Sequence, residues 1–439
     1  MANVGGMQRV AMELFHSLDG HQAVAVEPLV LRSAWRWTPL LSIPFMAKAI
    51  FQIRKKAREG TIDAVIFSSM VTGSLAVALQ SVLRPLGVPM AIIAHGQDVT
   101  LPFPPYQWLV PRTFAAVDAV LPVSTATAQA CLERGIAPEK VTVVPNGVDL
   151  TRFDQPRSRE TARRALIKGF GNRTGLPRTP DEGLLLCSVG RHVERKGFSW
   201  FINHVMPLLP ENVHYWVAGS GPETESLEAA VARKQLGDRV RLLGRIPERE
   251  LRLLYRGADL FIMPNIPVAG DMEGFGVVML EAGLSGLPVV AARLEGITDV
   301  IDDGVNGRLV ESGNAWAFAE EILRYHHQPD RLQEAADRAA SHTADTFSWE
   351  AIARRYIAVV RTLRHPTVPS LAMASPAVTA PPSLPCWTVS ACGPLGREHL
   401  RLFSRRTAAV RRRPRTLRDV LYETGFKRQA VRDVRGLSC

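Results

Sequence analysis

Nine consecutive residues, Glu273-Gly274-Phe275-Gly276-Val277-Val278-Met279-Leu280-Glu281, set two carboxylates on either side of a glycine-rich helix start. Backbone N–H groups at such a start bind phosphate through unpaired donors and the local dipole. A carboxylate one to two turns on can accept two hydrogen bonds from a vicinal diol, as in ribose recognition. Two solvated acids at an ordinary βα junction have the same spacing, so both readings stay open here. Upstream, Ser188-Val189-Gly190-Arg191-His192-Val193-Glu194-Arg195-Lys196-Gly197 puts Arg191 and Lys196 where a loop leaves a strand. A forked Arg and a point-charge Lys there suit a diphosphate, although solvated loop cations are the alternative. Gly219, in Ala218-Gly219-Ser220-Gly221-Pro222, can bring backbone close to the same ligand. His95, in His95-Gly96-Gln97-Asp98, follows another strand, where it can donate a hydrogen bond to a ligand or serve as a structural histidine.

These residues need a scaffold that delivers strand ends to one place. In the first half, Ala23–Leu31, Ala64–Ile66, Met90–Ala94, Ala119–Pro122 and Val141–Val144 read as strands, with helices over 7–18, 45–58, 71–83 and 124–133. The pattern restarts with strands Leu184–Val189, His214–Ala218, Val240–Leu243, Leu260–Met263 and Pro288–Ala291, and helices near 197–207, 223–236, 248–256 and 276–285. Alternation of this kind predicts an α/β chain with two doubly wound parallel sheets. Such sheets bind ligands at the carboxyl ends of their strands, so two facing sheets make a cleft. Gly5 and Gly6 would line it, and Pro145-Asn146-Gly147-Val148-Asp149 would end the first half at a hinge. A glycine pair opening a helix normally follows a strand, and none precedes this one; the expectation is a first domain lacking its first strand.

Together with Val123-Ser124, these segments resemble the family 4 glycosyltransferases, retaining nucleotide-sugar enzymes of the GT-B fold, over about residues 3 to 362. The resemblance implies two facing Rossmann-like domains and a role for each motif. Arg191 and Lys196 would bind the donor diphosphate and stabilise charge growing on it. Glu281 would hold the ribose hydroxyls, and Glu273 those of the transferred sugar. Phe275, Gly276 and Val277 would offer backbone N–H groups, His95 would sit against the sugar from the opposite domain, and Gly5, Gly6 and Gly219 would leave room for the donor. Asp271-Met272-Glu273 superficially resembles a metal-binding triplet, but its Glu is assigned to the sugar, so no metal and no cofactor beyond the donor substrate is expected. The expected function is transfer of a sugar from a nucleotide diphosphate sugar to an acceptor hydroxyl, hexosyltransferase-type and retaining. A catalytically silent sugar-nucleotide-binding protein is the alternative. The acceptor, whether polysaccharide, lipid-linked or small molecule, is not readable. Two departures stand out: His192 occupies a usually apolar position, and Gln155–Gly183 is long for a connection.

The expected division is residues 1–150 as the acceptor-side domain, 151–183 as a connection, 184–347 as the nucleotide-sugar domain, 348–365 as a C-terminal helix, and 366–439 as a Pro-rich linker and Arg-rich tail. Of the net charge of +11, residues 366–439 carry +9, with thirteen Lys and Arg against four Asp and Glu. The body is therefore nearly neutral. The tail carries no known nucleic-acid motif, which argues against nucleic acid; it reads as a disordered extension, with an anionic membrane surface as a further partner. Five cysteines without a CxxC pair exclude a disulfide scaffold or an obvious zinc site. The twenty uncharged residues from Ala64 to Leu83 contain Ser68, Ser69, Thr72 and Gln80, and read as a buried strand and helix rather than a membrane span. No basic-then-apolar leader opens the sequence, and the expected location is cytoplasmic, peripheral at the inner face of a membrane at most.

Overall fold

Short apolar runs become parallel strands where helices cover both of their faces, and this chain builds two sheets on that principle. The computed structural model describes residues 6–31, 37–153, 158–170 and 182–364. The first lobe contains β1 (Val65–Phe67), β2 (Met90–Ala94) and β3 (Ala119–Pro122), parallel and in the order β1-β2-β3. The second contains β4 (Leu185–Val189), β5 (His214–Ala218), β6 (Val240–Gly244), β7 (Leu260–Met263), β8 (Val289–Arg293) and β9 (Gly307–Glu311), all parallel, in the order β6-β5-β4-β7-β8-β9. The order reverses between β4 and β7, and the loops after those two strands flank the crevice that such a reversal opens.

Two expectations need correction. Ala23–Leu31 is not a strand: Val24 and Val26 pack on the core, but the segment has no ladder partner among the described residues. Alternating β-branched residues make a strand only when a neighbouring strand accepts their backbone groups. Val141–Val144 runs beside β3 through Thr142 N to Val120 O (3.1 Å) and Val144 N to Pro122 O (2.9 Å), yet forms only an isolated bridge. The connection over 151–183 carries helix Arg159–Phe170, which packs on helix Glu248–Gly257 of the second lobe. Buried Arg163 fastens it, donating from Nε to the Gly257 carbonyl (2.8 Å) and pairing with Asp259 (2.5 Å).

The lobes are joined by two passes of chain. The second comes at Phe347–Trp349, before the last helix, Trp349–Arg364, packs on helix Gly6–Asp19 of the first lobe. Val148 N donates to Phe347 O (2.8 Å), and Trp349 N donates to Val148 O (3.3 Å), so the passes lie side by side. Trp349 is buried over Gly147, where an added Cβ would lie 2.6 Å from the ring. Its indole N–H donates to Glu13 (2.5 Å), and its carbonyl accepts from Ser17 Oγ (2.9 Å). One apolar core runs from Leu14 and Leu121 through Trp349 and Phe347 to Met279 and Phe261.

Candidate active site

The loop after β4 is pressed onto the loop after β7 by glycine. Gly197 has φ +65°, and a Cβ on it would lie 1.9 Å from the Pro264 carbonyl oxygen. Gly219, at φ +135°, lies equally close to Gly190, where a Cβ would be 1.8 Å from the carbonyl oxygen. This packing buries Lys196, whose Nζ lies 2.5 Å from Glu273 Oε2. Asn265 Nδ2 donates to the same oxygen (3.1 Å), and Arg195 Nε lies 3.6 Å from it. Burial opposes the Glu273 charge, but Lys196, Arg195 and these hydrogen bonds overcome it and hold the carboxyl below its ordinary range. Arg195 also takes both oxygens of Asp271 (2.8 and 3.0 Å). Arg191 is exposed on this loop, whereas His192 is buried, its Nδ1 3.0 Å from Thr224 Oγ1.

Gly276, at φ +83°, caps helix Val277–Leu284, whose first turn presents N–H groups without intrahelical partners. Phe275 is buried beside it. Glu281 lies on the second turn, also buried, and both its oxygens are engaged. Oε1 accepts from Arg152 (2.7 Å) and, at 3.4 Å, from Arg9; Oε2 accepts from Tyr255 OH (3.0 Å). Arg152 grips Glu248 with a second pair of bonds, 2.6 and 2.8 Å long. Burial pushes the Glu281 carboxyl above its ordinary range, against the pull of Arg152 and Tyr255. Sequence reasoning did not find Arg9, Arg152, Tyr255 or Glu248. Only Arg152 offered a signal, three residues beyond the hinge motif.

From the first lobe, the loop after β2 is locked by buried Asp98, which accepts from His95 N (2.7 Å) and Met70 N (3.0 Å). The His95 ring is turned to the Ser68 carbonyl, with Nε2 at 3.0 Å. Its backbone reaches the second lobe: a Cβ on Gly274 would lie 2.2 Å from the His95 carbonyl oxygen. Gly96, at φ +91°, backs onto Gly274 Cα, and Gly296 abuts the Gly274 carbonyl from the other side. Gln97 donates to Asp271, and Thr125 donates to Asp299 from its N (2.8 Å) and Oγ1 (2.6 Å), so side chains bind the lobes on both flanks of this glycine stack. Lys196, Glu273, Phe275, Gly276, Val277 and Glu281 are thus gathered around one loop and one helix. Gly6 begins the helix that carries Arg9 to Glu281; Gly5 lies outside the described residues.

Two family models match the chain, one described as Glycosyltransferase Family 4 over residues 4–152 and one as Glycosyl transferases group 1 over residues 183–328. The putative colanic acid biosynthesis glycosyltransferase WcaL of Salmonella typhimurium strain LT2 is 32% identical over 294 residues, covering 64% of this chain and 67% of that protein. A D-inositol 3-phosphate glycosyltransferase of Segniliparus rotundus is 32% identical over 231 residues, 51% of this chain and 47% of the relative. Among solved structures, Anabaena HepE in complex with UDP aligns with TM-score 0.63 at 19% identity, over 82% of this chain and 98% of that one. The sucrose-phosphate synthase of Thermosynechococcus elongatus aligns with TM-score 0.62 at 19% identity, over 82% and 94%. At that identity the structures speak for the fold, which is theirs: two Rossmann-like lobes in the GT-B arrangement. The chain belongs to the family 4 glycosyltransferases.

Proposed function

We propose that this glycosyltransferase moves a hexosyl group from a nucleoside diphosphate sugar to an acceptor hydroxyl, with retention of anomeric configuration and without a metal. The observation that carries this reading is the buried Lys196–Glu273 pair beside the glycine-capped helix. It sets a cation and N–H donors beside a carboxylate at the switch point of the second sheet. Preorganised donors of this kind stabilise a leaving diphosphate best where water is excluded. In this reading Arg191 and Lys196 hold the diphosphate, Glu281 the ribose and Glu273 the sugar hydroxyls, and His95 turns from the Ser68 carbonyl to meet the sugar from the first lobe. The absence of a metal role is supported by Asp271, whose two oxygens are already taken by Arg195. Uridine donors come first to hand because the HepE structures hold UDP or UDP-glucose. A glycan acceptor is favoured by WcaL, named for colanic acid biosynthesis.

The test separates the two carboxylates. Glu281→Gln should weaken UDP binding in calorimetric titration, whereas Glu273→Gln should leave it nearly unchanged and depress turnover of UDP-glucose. A reversed pattern would invert the motif's polarity. UDP binding without turnover of any donor by the unaltered protein would leave a sugar-nucleotide-binding protein and no enzyme.

A further inference from the structure

The backbone of Glu273 is held from both sides by two consecutive residues of the turn that follows β8. Glu295 Oε2 accepts from Glu273 N (2.5 Å), and Gly296 N donates to Glu273 O (3.2 Å). Gly296 has no room for a side chain: a Cβ would lie 2.2 Å from the Gly274 carbonyl oxygen and 2.9 Å from that of Glu273. The Glu273 side chain is anchored separately, and through one oxygen. Lys196, Asn265 and Arg195 all address Oε2, while Oε1 has no partner among the described residues. The turn is itself fixed at its far end, where Asp299 accepts from Thr125 N and Oγ1 of the first lobe.

Glu295 stands here at two costs. Its backbone is left-handed, at φ +48°. Among the described residues only Gln235 shares that trait outside glycine, and it follows the end of helix Thr224–Arg233, where a left-handed residue is ordinary. Glu295 instead opens the short helical turn Glu295–Asp299, and a Cβ is strained there where glycine would not be. The second cost is electrostatic. Burial and the carboxylates of Glu273 and Asp271 push the Glu295 acid above its ordinary range, against the pull of the Glu273 N–H and Arg195. Glycine would make the same turn with neither cost. What glycine could not do is accept from the Glu273 amide. We infer that Glu295 is a positioning residue for the transfer, fixing the Glu273 backbone so that Oε1 is ready for a hydroxyl of the transferred sugar. This rests on the proposed sugar role of Glu273. A misplacement of about 1 Å can cost about a hundredfold in rate, and a clamp on backbone and side chain together removes that freedom.

The full chain, its Glu295→Gly variant and its Glu295→Gln variant test the inference. Glycine removes the acceptor and relieves the torsion; glutamine keeps an acceptor oxygen and loses the charge. Glu295→Gly should leave the thermal midpoint unchanged or raise it. Its UDP affinity in calorimetric titration should stay within about twofold, while kcat with UDP-glucose falls about tenfold or more. Hydrogen exchange in the segment 271–276 should quicken about tenfold. Glu295→Gln should recover most of both. Full turnover by Glu295→Gly, or exchange as slow as in the unaltered chain, would overturn the inference. So would a midpoint and a UDP affinity that fall together with turnover, which would make Glu295 a support of the fold. A Glu295→Gln variant as impaired as Glu295→Gly would assign the loss to the carboxylate's charge and not to the clamp. Glu273→Gln separates the two levels: full turnover by that variant would sink the sugar reading and this inference with it, whereas a Glu273 defect without a Glu295 defect would sink the clamp alone.

Discussion

Two glutamates of one motif are given opposite acidities by their neighbours. Glu273 is drawn down by Lys196 and Arg195, whereas burial drives Glu281 up and Arg152 restrains it only in part. An acid whose pKa is raised in the folded protein loses its charge sooner as pH falls, and under the proposed ribose role a neutral Glu281 would be a poorer acceptor for two hydroxyls. Nucleotide affinity should therefore decline on the acid side as pH passes through the raised Glu281 value. Arg152→Met removes a downward pull, so that decline should begin at higher pH, while Arg152→Lys should restore much of the original profile. Calorimetric titration of UDP against pH for the three proteins reads this directly, since the ligand's own titration is common to all. Superimposable profiles would mean that Arg152 fixes shape and not charge.

At the level of elements, the meeting of the lobes depends on glycines that leave no room for a side chain. Gly274 lies outside the left-handed region, so alanine there strains no torsion; its methyl would collide with the His95 carbonyl. Gly274→Ala should push the first lobe's loop away and lower transfer well beyond any loss of UDP affinity. Equal losses in both would show the nucleotide seat itself deformed. Much of this frame was legible in the sequence. Met90–Ala94 and Leu260–Met263 are buried along their whole length and read as continuous apolar runs. Ala23–Leu31 carries alternating valines but is interrupted by Glu27 and Pro28, and it finds no ladder partner among the described residues. Strand Gly307–Glu311 escaped notice because its alternation is broken by Arg308 and bounded by Glu311. The motif residues were legible because they lie close together in sequence. Arg9 and Arg152 were not, because folding brings them to Glu281 across 272 and 129 positions.

For the whole molecule, Trp349 fastens the return pass to both the outgoing pass and the first helix. Trp349→Ala removes a buried ring and should cost about 3–5 kcal/mol. Because the ring lies between the lobes, scanning calorimetry should show a lower midpoint and two separated transitions, one for each lobe. A single transition at the original temperature would show that the remaining core alone holds the lobes together. If the lobes move, the two adjacent crossings bonded through Val148 would be their axis, as in a door hinge with two knuckles that resists shear and allows one swing. A small torsional change at such an axis would be multiplied by the distance to the lip where Gly96 meets Gly274. Arg152, four residues beyond Val148, grips Glu281 on the short arm of this lever. An occupant that loosened that grip would therefore act at the pivot, and its arrival would be magnified where Gly96 meets Gly274.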